Sequence, residues 1–261
     1  GLMRRIAEDG TIEHIEEILQ ESNAIMVARG DLGIEYPMEE VPSIQRMLVR
    51  RCRELGMPVI VATQMLESMI DNPRPTRAEV SDVANAVYGG ADAVMLSAES
   101  AAGKYPVRSV KTMAKITERA EKAADTPEVT VDWSADAQTS AIVGAAQSLA
   151  MCRINGMAQI KGFVVLTQTG KSAQLLSRLR PELPIISLTN DDKTLDQLQM
   201  VWGVEAYHFA YSKNELIDVT KINDFLLKEN IFVPGDKVIM IYGERLGQAG
   251  LTSTVRIQEL G

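Results

Sequence analysis

The sequence has little of several residue types, and each shortage excludes a class of protein. Only two of its 261 residues are cysteine and only two are histidine, too few for a disulfide framework or a histidine-based metal site. Lys and Arg total 27 against 35 Asp and Glu, which gives a net charge of −8. Nucleic acids and anionic membranes are bound through clustered cations, so we expect neither as a partner.

Long hydrophobic runs are also missing. No apolar stretch reaches the roughly 20 residues that a membrane-spanning helix needs. Hydrophobic residues still make up 46% of the chain and charged residues 24%, a composition typical of globular proteins. The length suits one large domain or two medium ones. Because cysteine is so scarce, we expect a reducing, cytoplasmic location.

Short apolar runs alternate with amphipathic segments, a pattern typical of a parallel sheet covered by helices on both faces. The predicted strands are 24–28, 58–62, 91–96, 162–166, 184–188, 205–209, 237–242 and 254–258. The predicted helices are 11–21, 41–55, 78–87, 107–122, 141–151, 173–179, 194–200 and 215–228. Residues 125–133 follow neither period and are predicted to link two domains, 1–124 and 125–261.

In the first domain, polar residues follow each predicted strand, where parallel α/β folds place their chemistry. Arg29, Gly30 and Asp31 follow the first strand. These residue types fit an anion held by backbone N–H groups, beside a cationic side chain and a Mg²⁺ ligand. The alternative is a plain turn with a helix-capping Asp and a surface Arg. Thr63 ends the second strand and either hydrogen-bonds the same ligand or caps a helix over 64–70.

Other polar residues have simpler interpretations. Thr76 and Glu79 have capping-box spacing, which predicts a helix start. Glu99 follows the third strand, where a solvated loop acid is favoured over a ligand contact. His14 and His208 have no catalytic partner nearby in the sequence and are predicted to be structural.

In the second domain, hydroxyls, a glycine and a lysine connect a strand to a helix. They are Thr167, Thr169, Gly170, Lys171 and Ser172. Such a loop suits a phosphate group, although a capped helix start has the same composition. It is not a nucleotide P-loop, because Val165 stands where that motif needs Gly. The glycine-rich segment 243–250 carries Arg245 and forms either a flap over the same ligand or an ordinary connection.

Four collinear stretches of the first half resemble the pyruvate kinase family. They are 25–35, 62–70, 73–80 and 92–106. The similarity runs from about Gly10 to the C-terminus. It implies an α/β fold in which the C-terminal strands of a (β/α)8 barrel, three of them, precede a separate α/β C-terminal domain that binds effectors.

The resemblance also implies an activity. Pyruvate kinases transfer a phosphoryl group from phosphoenolpyruvate to ADP, giving pyruvate and ATP in the last step of glycolysis. They use Mg²⁺ or Mn²⁺ together with K⁺, and are expected to be homotetramers. The residues that match the catalytic part are Arg29, Gly30 and Asp31 for substrate binding, Asp31 for the metal, and Thr63 for substrate contact and catalysis. A sugar-phosphate effector loop is matched by Thr167, Thr169, Gly170, Lys171, Ser172 and Arg245.

Two positions depart from the family pattern. The family's Lys-Ile-Glu triplet falls on Arg5, Ile6 and Ala7. Arg5 would stand in for the catalytic lysine, keeping its charge without the point geometry of an ammonium, and Ala7 removes a metal-binding carboxylate. The earlier barrel strands have no counterpart either. These departures leave open a non-catalytic truncated relative that binds a sugar phosphate or pairs with a full-length subunit. Another alternative is that residues 1–9 are foreign to the family sequence.

Overall fold

The structure, a computed structural model, describes residues 3–6, 12–124, 144, 159–212, 214–243, 245, 247 and 252–261. The chain divides into two units, Gly1–Val129 and Thr130–Gly261, each with its own hydrophobic core. The predicted linker 125–133 lies outside the described residues. So do the predicted helix 141–151, apart from Gly144, and most of the loop 243–250.

The sheet of the first unit contains four parallel strands in the order β1-β2-β3-β4. They are β1 (Met3–Ile6), β2 (Ala24–Ala28), β3 (Val59–Ala62) and β4 (Ala93–Met95). Every residue of β3 is buried, as expected of a strand covered on both faces. Ala28 pairs with Ala62, and Ala62 with Met95, so the carboxyl ends of β2, β3 and β4 meet at one edge.

Helices connect these strands. They are α1 (Ile15–Gln20), α2 (Arg29–Glu35), α3 (Val41–Leu55), a 3₁₀ helix (Glu67–Ile70), α4 (Arg77–Gly89), α5 (Ala98–Ala101) and α6 (Pro106–Ala123). Helix α3 buries Val41, Ile44 and Leu48 on one face. It ends at Gly56, whose φ of 66° lies in the left-handed region that glycine adopts without strain. The predicted capping box of Thr76 and Glu79 is confirmed at the start of α4.

The second unit contains a five-stranded sheet in the order β7-β6-β5-β8-β9. Its elements are β5 (Ile160–Leu166), α7 (Lys171–Ser177), β6 (Ile185–Thr189), α8 (Asp192–Leu198), β7 (Val204–His208), α9 (Val219–Lys228), β8 (Lys237–Tyr242) and β9 (Thr254–Glu259). Strand β9 runs antiparallel to β8, and the other pairings are parallel. Both faces of this sheet carry a cluster of buried hydrophobic side chains.

The predicted α/β class is confirmed, and helix α3 has the predicted bounds. The expectation of three strands in the first unit was incomplete, because β1 adds a fourth. Only Ile6 of β1 is buried, so the strand contains no apolar run that a sequence rule would detect. Among the helices of the described ranges, none is long and apolar enough to cross a membrane.

Candidate active site

Helix α2 begins directly after β2 and places Gly30 and Asp31 in its first turn. The first N–H groups of a helix have no acceptor within the helix, so they are available to other groups. The N–H of Gly30 donates to Thr63 Oγ1 at 2.9 Å. Because Thr63 follows β3, this hydrogen bond joins the ends of two neighbouring strands. It brings together two residues that the sequence pattern predicted to share one site.

The backbone at Thr63 is unusual. Its φ is 66° and that of Gln64 is 52°, in the left-handed region that a β-branched residue such as Thr seldom adopts. The Thr63 hydroxyl donates to the carbonyl of Ala62 at 2.7 Å while accepting from Gly30. The helix-capping alternative for Thr63 is wrong, since the next helix is the 3₁₀ turn that begins at Glu67. Strained backbone of this kind is concentrated at functional sites.

Arg29 holds this strained turn in place. Its side chain is only 8% exposed, so the surface-Arg alternative is wrong. The guanidinium forms an ion pair with Asp82 of α4. It also donates to the carbonyls of Thr63 at 2.6 Å and Gln64 at 3.1 Å. Through these contacts Arg29 sets the position of Thr63, while its direct contact with a substrate stays a prediction.

Asp31 forms an ion pair with Arg5. Arg5 lies on β1 opposite Met26 of the neighbouring strand, from where its long side chain reaches the first turn of α2. The two side chains are 56% and 38% exposed, so solvent reaches the pair. Asp31 does not cap α2, because the N-cap residue is Ala28. The capping alternative for Asp31 is therefore wrong.

Among the residues that the structure describes, those around Asp31 do not form a site for a resident divalent cation. Within the described ranges, no group of three or more His, Cys, Asp or Glu side chains could hold a metal ion. Asp31 offers one carboxylate, and the guanidinium of Arg5 is bound to it. The sequence has Ala7 where the family that it resembles has a second carboxylate.

Glu99 is a structural support, whereas its position in the sequence predicted an exposed acid. The residue is only 2% exposed, so the expected solvated loop acid is wrong. Its carboxylate accepts the N–H of Leu66 at 3.1 Å and that of Ser97 at 2.8 Å. Glu99 thereby ties the segment after β3 to the segment after β4. The position of Glu99 after a strand was the one indication in the sequence that it belongs to this edge of the sheet. Asp82 lies within a helix, and its position gave no indication of its contact with Arg29.

In the second unit, the segment after β5 is shaped by its own hydroxyls. Thr167 Oγ1 accepts the N–H of Gly170 at 3.0 Å. Gly170 has a φ of 79°, and a Cβ there would lie 3.2 Å from the side chain of Leu198. Thr169 and Lys171 are exposed. The turn thus exposes the Thr169 hydroxyl and the Lys171 ammonium to solvent. A residue larger than glycine at position 170 would strain the turn.

The other two predicted effector residues have separate surroundings. Ser172 is buried, and its Oγ lies 2.9 Å from Oγ1 of Thr252. The guanidinium of Arg245 donates to the carbonyl of Asn214 at 3.3 Å. The structure therefore places Ser172 in the packed interior of its unit and joins Arg245 to a different loop.

The other titratable candidates are a buried cysteine and two exposed histidines. Burial raises the pKa of Cys52 to about 12, and the charge of Asp92 acts in the same direction. That thiol is therefore protonated at neutral pH and is not a nucleophile. His14 Nδ1 lies 3.6 Å from Glu17, and His208 Nε2 lies 3.9 Å from Asp192, with all four side chains exposed. Exposed pairs of this kind contribute little to stability.

Two family models match the chain. The model of the pyruvate kinase barrel domain matches residues 1–110, and that of the pyruvate kinase alpha/beta domain matches residues 145–258. The pyruvate kinase of Geobacillus stearothermophilus is 41% identical over 259 residues, which cover 98% of this chain and 43% of that protein. The pyruvate kinase of Lactobacillus delbrueckii subsp. bulgaricus is 42% identical over 258 residues, covering 98% and 44%.

A crystal structure of a pyruvate kinase from Cryptosporidium parvum also matches, with a TM-score of 0.86 and 31% identity. The match covers 99% of this chain and 51% of that one. The chain therefore spans about half the length of the relatives that it matches. Its four-stranded unit matches the barrel-domain model, and its five-stranded unit matches the alpha/beta-domain model. The chain belongs to the pyruvate kinase family.

Proposed function

We propose that the chain is the C-terminal part of a pyruvate kinase. The whole enzyme transfers the phosphoryl group of phosphoenolpyruvate to ADP and releases pyruvate and ATP. Two family models in the expected order support this proposal, as do relatives at about 40% identity. The share of the reaction assigned to this chain is to bind and orient the carboxylic acid substrate.

The hydrogen bond between Gly30 and Thr63 is the observation that carries this assignment. It places a helix start beside a hydroxyl at the edge where parallel strands end. In the proposed mode, the substrate carboxylate replaces Thr63 Oγ1 as the acceptor of the Gly30 N–H and also binds the N–H of Asp31. The Thr63 hydroxyl then hydrogen-bonds the substrate beside the carbon that gains a proton when the enolate becomes pyruvate. Arg29 and Asp82 keep that hydroxyl in place through the strained turn.

Several further features are proposed for the full-length enzyme. Mg²⁺ or Mn²⁺ and K⁺ are its expected ions, although the described residues of this chain do not supply the divalent site. The expected assembly is a homotetramer in the cytoplasm. A sugar-phosphate effector is proposed to bind the second unit at Thr167, Thr169, Gly170, Lys171, Ser172 and Arg245. In this proposal the exposed Thr169 and Lys171 contact the effector, whereas the buried Thr167 and Ser172 shape the loop. The turn at Gly170 and the exposed Lys171 support this site most directly.

Calorimetric titration with phosphoenolpyruvate tests the proposed function. We expect one saturable site per chain. Thr63→Val should weaken binding about tenfold, because it removes the hydroxyl and keeps the branched shape. Thr220→Val, a matched change at an exposed position of α9, should leave the affinity unchanged. A chain that binds no phosphoenolpyruvate, or binds it equally well without the Thr63 hydroxyl, would contradict the proposal.

Pyruvate formation in the presence of ADP, Mg²⁺ and K⁺ gives a second readout. Arg5 and Ala7 stand at the positions of the family's lysine and glutamate, and phosphoryl transfer depends on such positioned charges. We therefore expect the chain by itself to bind substrate without turnover above the Thr63→Val background. Turnover well above that background would show that the family's lysine and the earlier strands are dispensable.

A further inference from the structure

We infer that the guanidinium of Arg5 takes the place of the divalent cation at Asp31, so that this chain binds phosphoenolpyruvate without a metal ion at that carboxylate. The inference rests on the proposed function, from which it takes phosphoenolpyruvate as the ligand and Asp31 as the carboxylate that holds the metal in the family. The observation behind it is the ion pair between these two side chains.

The strand register explains how the pair forms. Arg5 is the third residue of β1 and lies opposite Met26 of β2, while Asp31 is the third residue of α2. A guanidinium carries its donors in a planar fork that matches a carboxylate, which a lysine ammonium does not. The arginine is therefore suited to bind the Asp31 carboxylate itself. A lysine in the same place would act as a separate point charge beside it.

The charges of the Arg5–Asp31 pair oppose a divalent ion. The one carboxylate is neutralised by Arg5, so an entering dication would find no net negative charge in the pair and would face a like charge at short range. Among the described residues, no cluster of His, Cys, Asp or Glu completes a coordination shell. Magnesium is usually bound through one or two carboxylates together with substrate oxygens and water, and here the available carboxylate is engaged.

The pair is also exposed enough to be tested without unfolding the chain. The side chain of Arg5 is 56% exposed, and exposed ion pairs contribute little to stability. Arg4 supplies a matched control, because it precedes Arg5 on β1, is exposed, and points to the opposite face of the sheet. Replacing either arginine changes the net charge by the same amount.

Mn²⁺ binding, followed through the electron paramagnetic resonance signal of the free ion, tests the inference on the whole purified chain. We expect wild type and Asp31→Asn to bind Mn²⁺ equally weakly. Arg5→Ala should bind it about tenfold or more tightly, because the competing charge is removed. Arg5→Gln should show the same gain with a side chain of more similar size. Arg4→Ala should stay within about twofold of wild type.

The double variant Arg5→Ala/Asp31→Asn shows whether a gain in Mn²⁺ affinity depends on Asp31. We expect it to bind Mn²⁺ as weakly as wild type. Two results would overturn the inference. The first is a tenfold loss of Mn²⁺ affinity when Asp31→Asn is introduced into the wild-type chain. The second is an Arg5→Ala variant whose Mn²⁺ affinity shows no gain that depends on Asp31. Neither readout needs turnover or phosphoenolpyruvate, so failure here is distinct from failure of the proposed function.

Discussion

The loop after β3 in the first unit and the loop after β5 in the second both follow a buried strand, yet they are held by different chemistry. In the first unit, charged side chains make the contacts: Arg29 with Asp82, and Glu99 with two backbone N–H groups. In the second, neutral hydroxyls do so: Thr167 with the N–H of Gly170, and Ser172, in the first turn of the following helix α7, with Thr252.

This difference has an energetic consequence. Removing one partner of a buried charged group leaves the other uncompensated in a medium of low dielectric constant, which is strongly destabilising. Removing a neutral hydroxyl costs the value of a single hydrogen bond. The first loop should therefore tolerate substitution poorly and hold a fixed geometry, as the strained backbone of Thr63 requires. The second should tolerate substitution better.

Glu99→Ala is the change with the largest expected effect. It leaves the buried N–H of Leu66 and the part-buried N–H of Ser97 without their acceptor, which should lower the free energy of unfolding by about 3 kcal/mol. Urea unfolding would measure this loss. Glu118→Ala, which removes an exposed glutamate paired with Lys122 on α6, is the control and should change stability by less than about 0.5 kcal/mol. Equal losses of stability in the two variants would show that Glu99 does not support the first loop.

Asp82→Ala should have the second largest effect. It leaves the buried Arg29 without its carboxylate, and because Asp82 itself is 36% exposed we expect a loss of about 2 kcal/mol. The turn at Thr63 should also loosen, so phosphoenolpyruvate should bind more weakly. Asp71→Ala, which breaks an exposed pair with Lys104, serves as the control. A stable Asp82→Ala chain with unchanged affinity would show that Arg29 needs no partner.

Ser172→Ala tests the neutral side of the comparison. Losing its hydrogen bond with Thr252 should lower the free energy of unfolding by about 1 kcal/mol. Adding Thr252→Val replaces both partners by apolar groups and should recover part of that loss. The double-mutant cycle measures the coupling directly. A coupling as large as the Asp82 effect would contradict the proposed difference between the two loops.

Glu79 gives the smallest expected effect, and it depends on pH. Burial acts to raise the pKa of Glu79, but hydrogen bonds from Ser68 and Thr76 lower it below its ordinary 4.5. A lowered folded-state pKa stabilises the fold fully above the unfolded pKa, and the contribution is lost as pH falls through the folded value. Wild type should therefore exceed Glu79→Gln in stability at pH 7 and converge with it as the solution is acidified. A difference that stays constant below pH 4.5 would contradict this linkage.

Particular elements show how much the sequence could predict. Strand β2 and helix α3 were found with their bounds because their periodicity comes from burial on one or both faces. Strand β1 was missed because Arg4 and Arg5 face solvent and only Ile6 is buried. Local patterns do indicate elements whose side chains fill the core, but they are weak for a strand with an exposed face.

The candidate site likewise contains some features that the sequence predicted and others that it did not. Gly30, Asp31 and Thr63 were predicted because they follow strands, and the structure joins Gly30 to Thr63. The left-handed backbone of Thr63 opposes the preference of a β-branched residue, so no propensity rule would give it. The burial of Glu99 is set by N–H groups contributed by two separate segments. Tertiary contacts decide such features.

One titration tests the central claim most directly. Phosphoenolpyruvate is added to the whole chain in a calorimeter, once with a chelator and once with excess Mn²⁺. The proposed substrate site and the Arg5–Asp31 pair together predict saturable binding whose Kd agrees within about twofold between the two conditions. Binding that appears only with Mn²⁺ would contradict the role of Arg5, and no binding in either condition would contradict the substrate site itself.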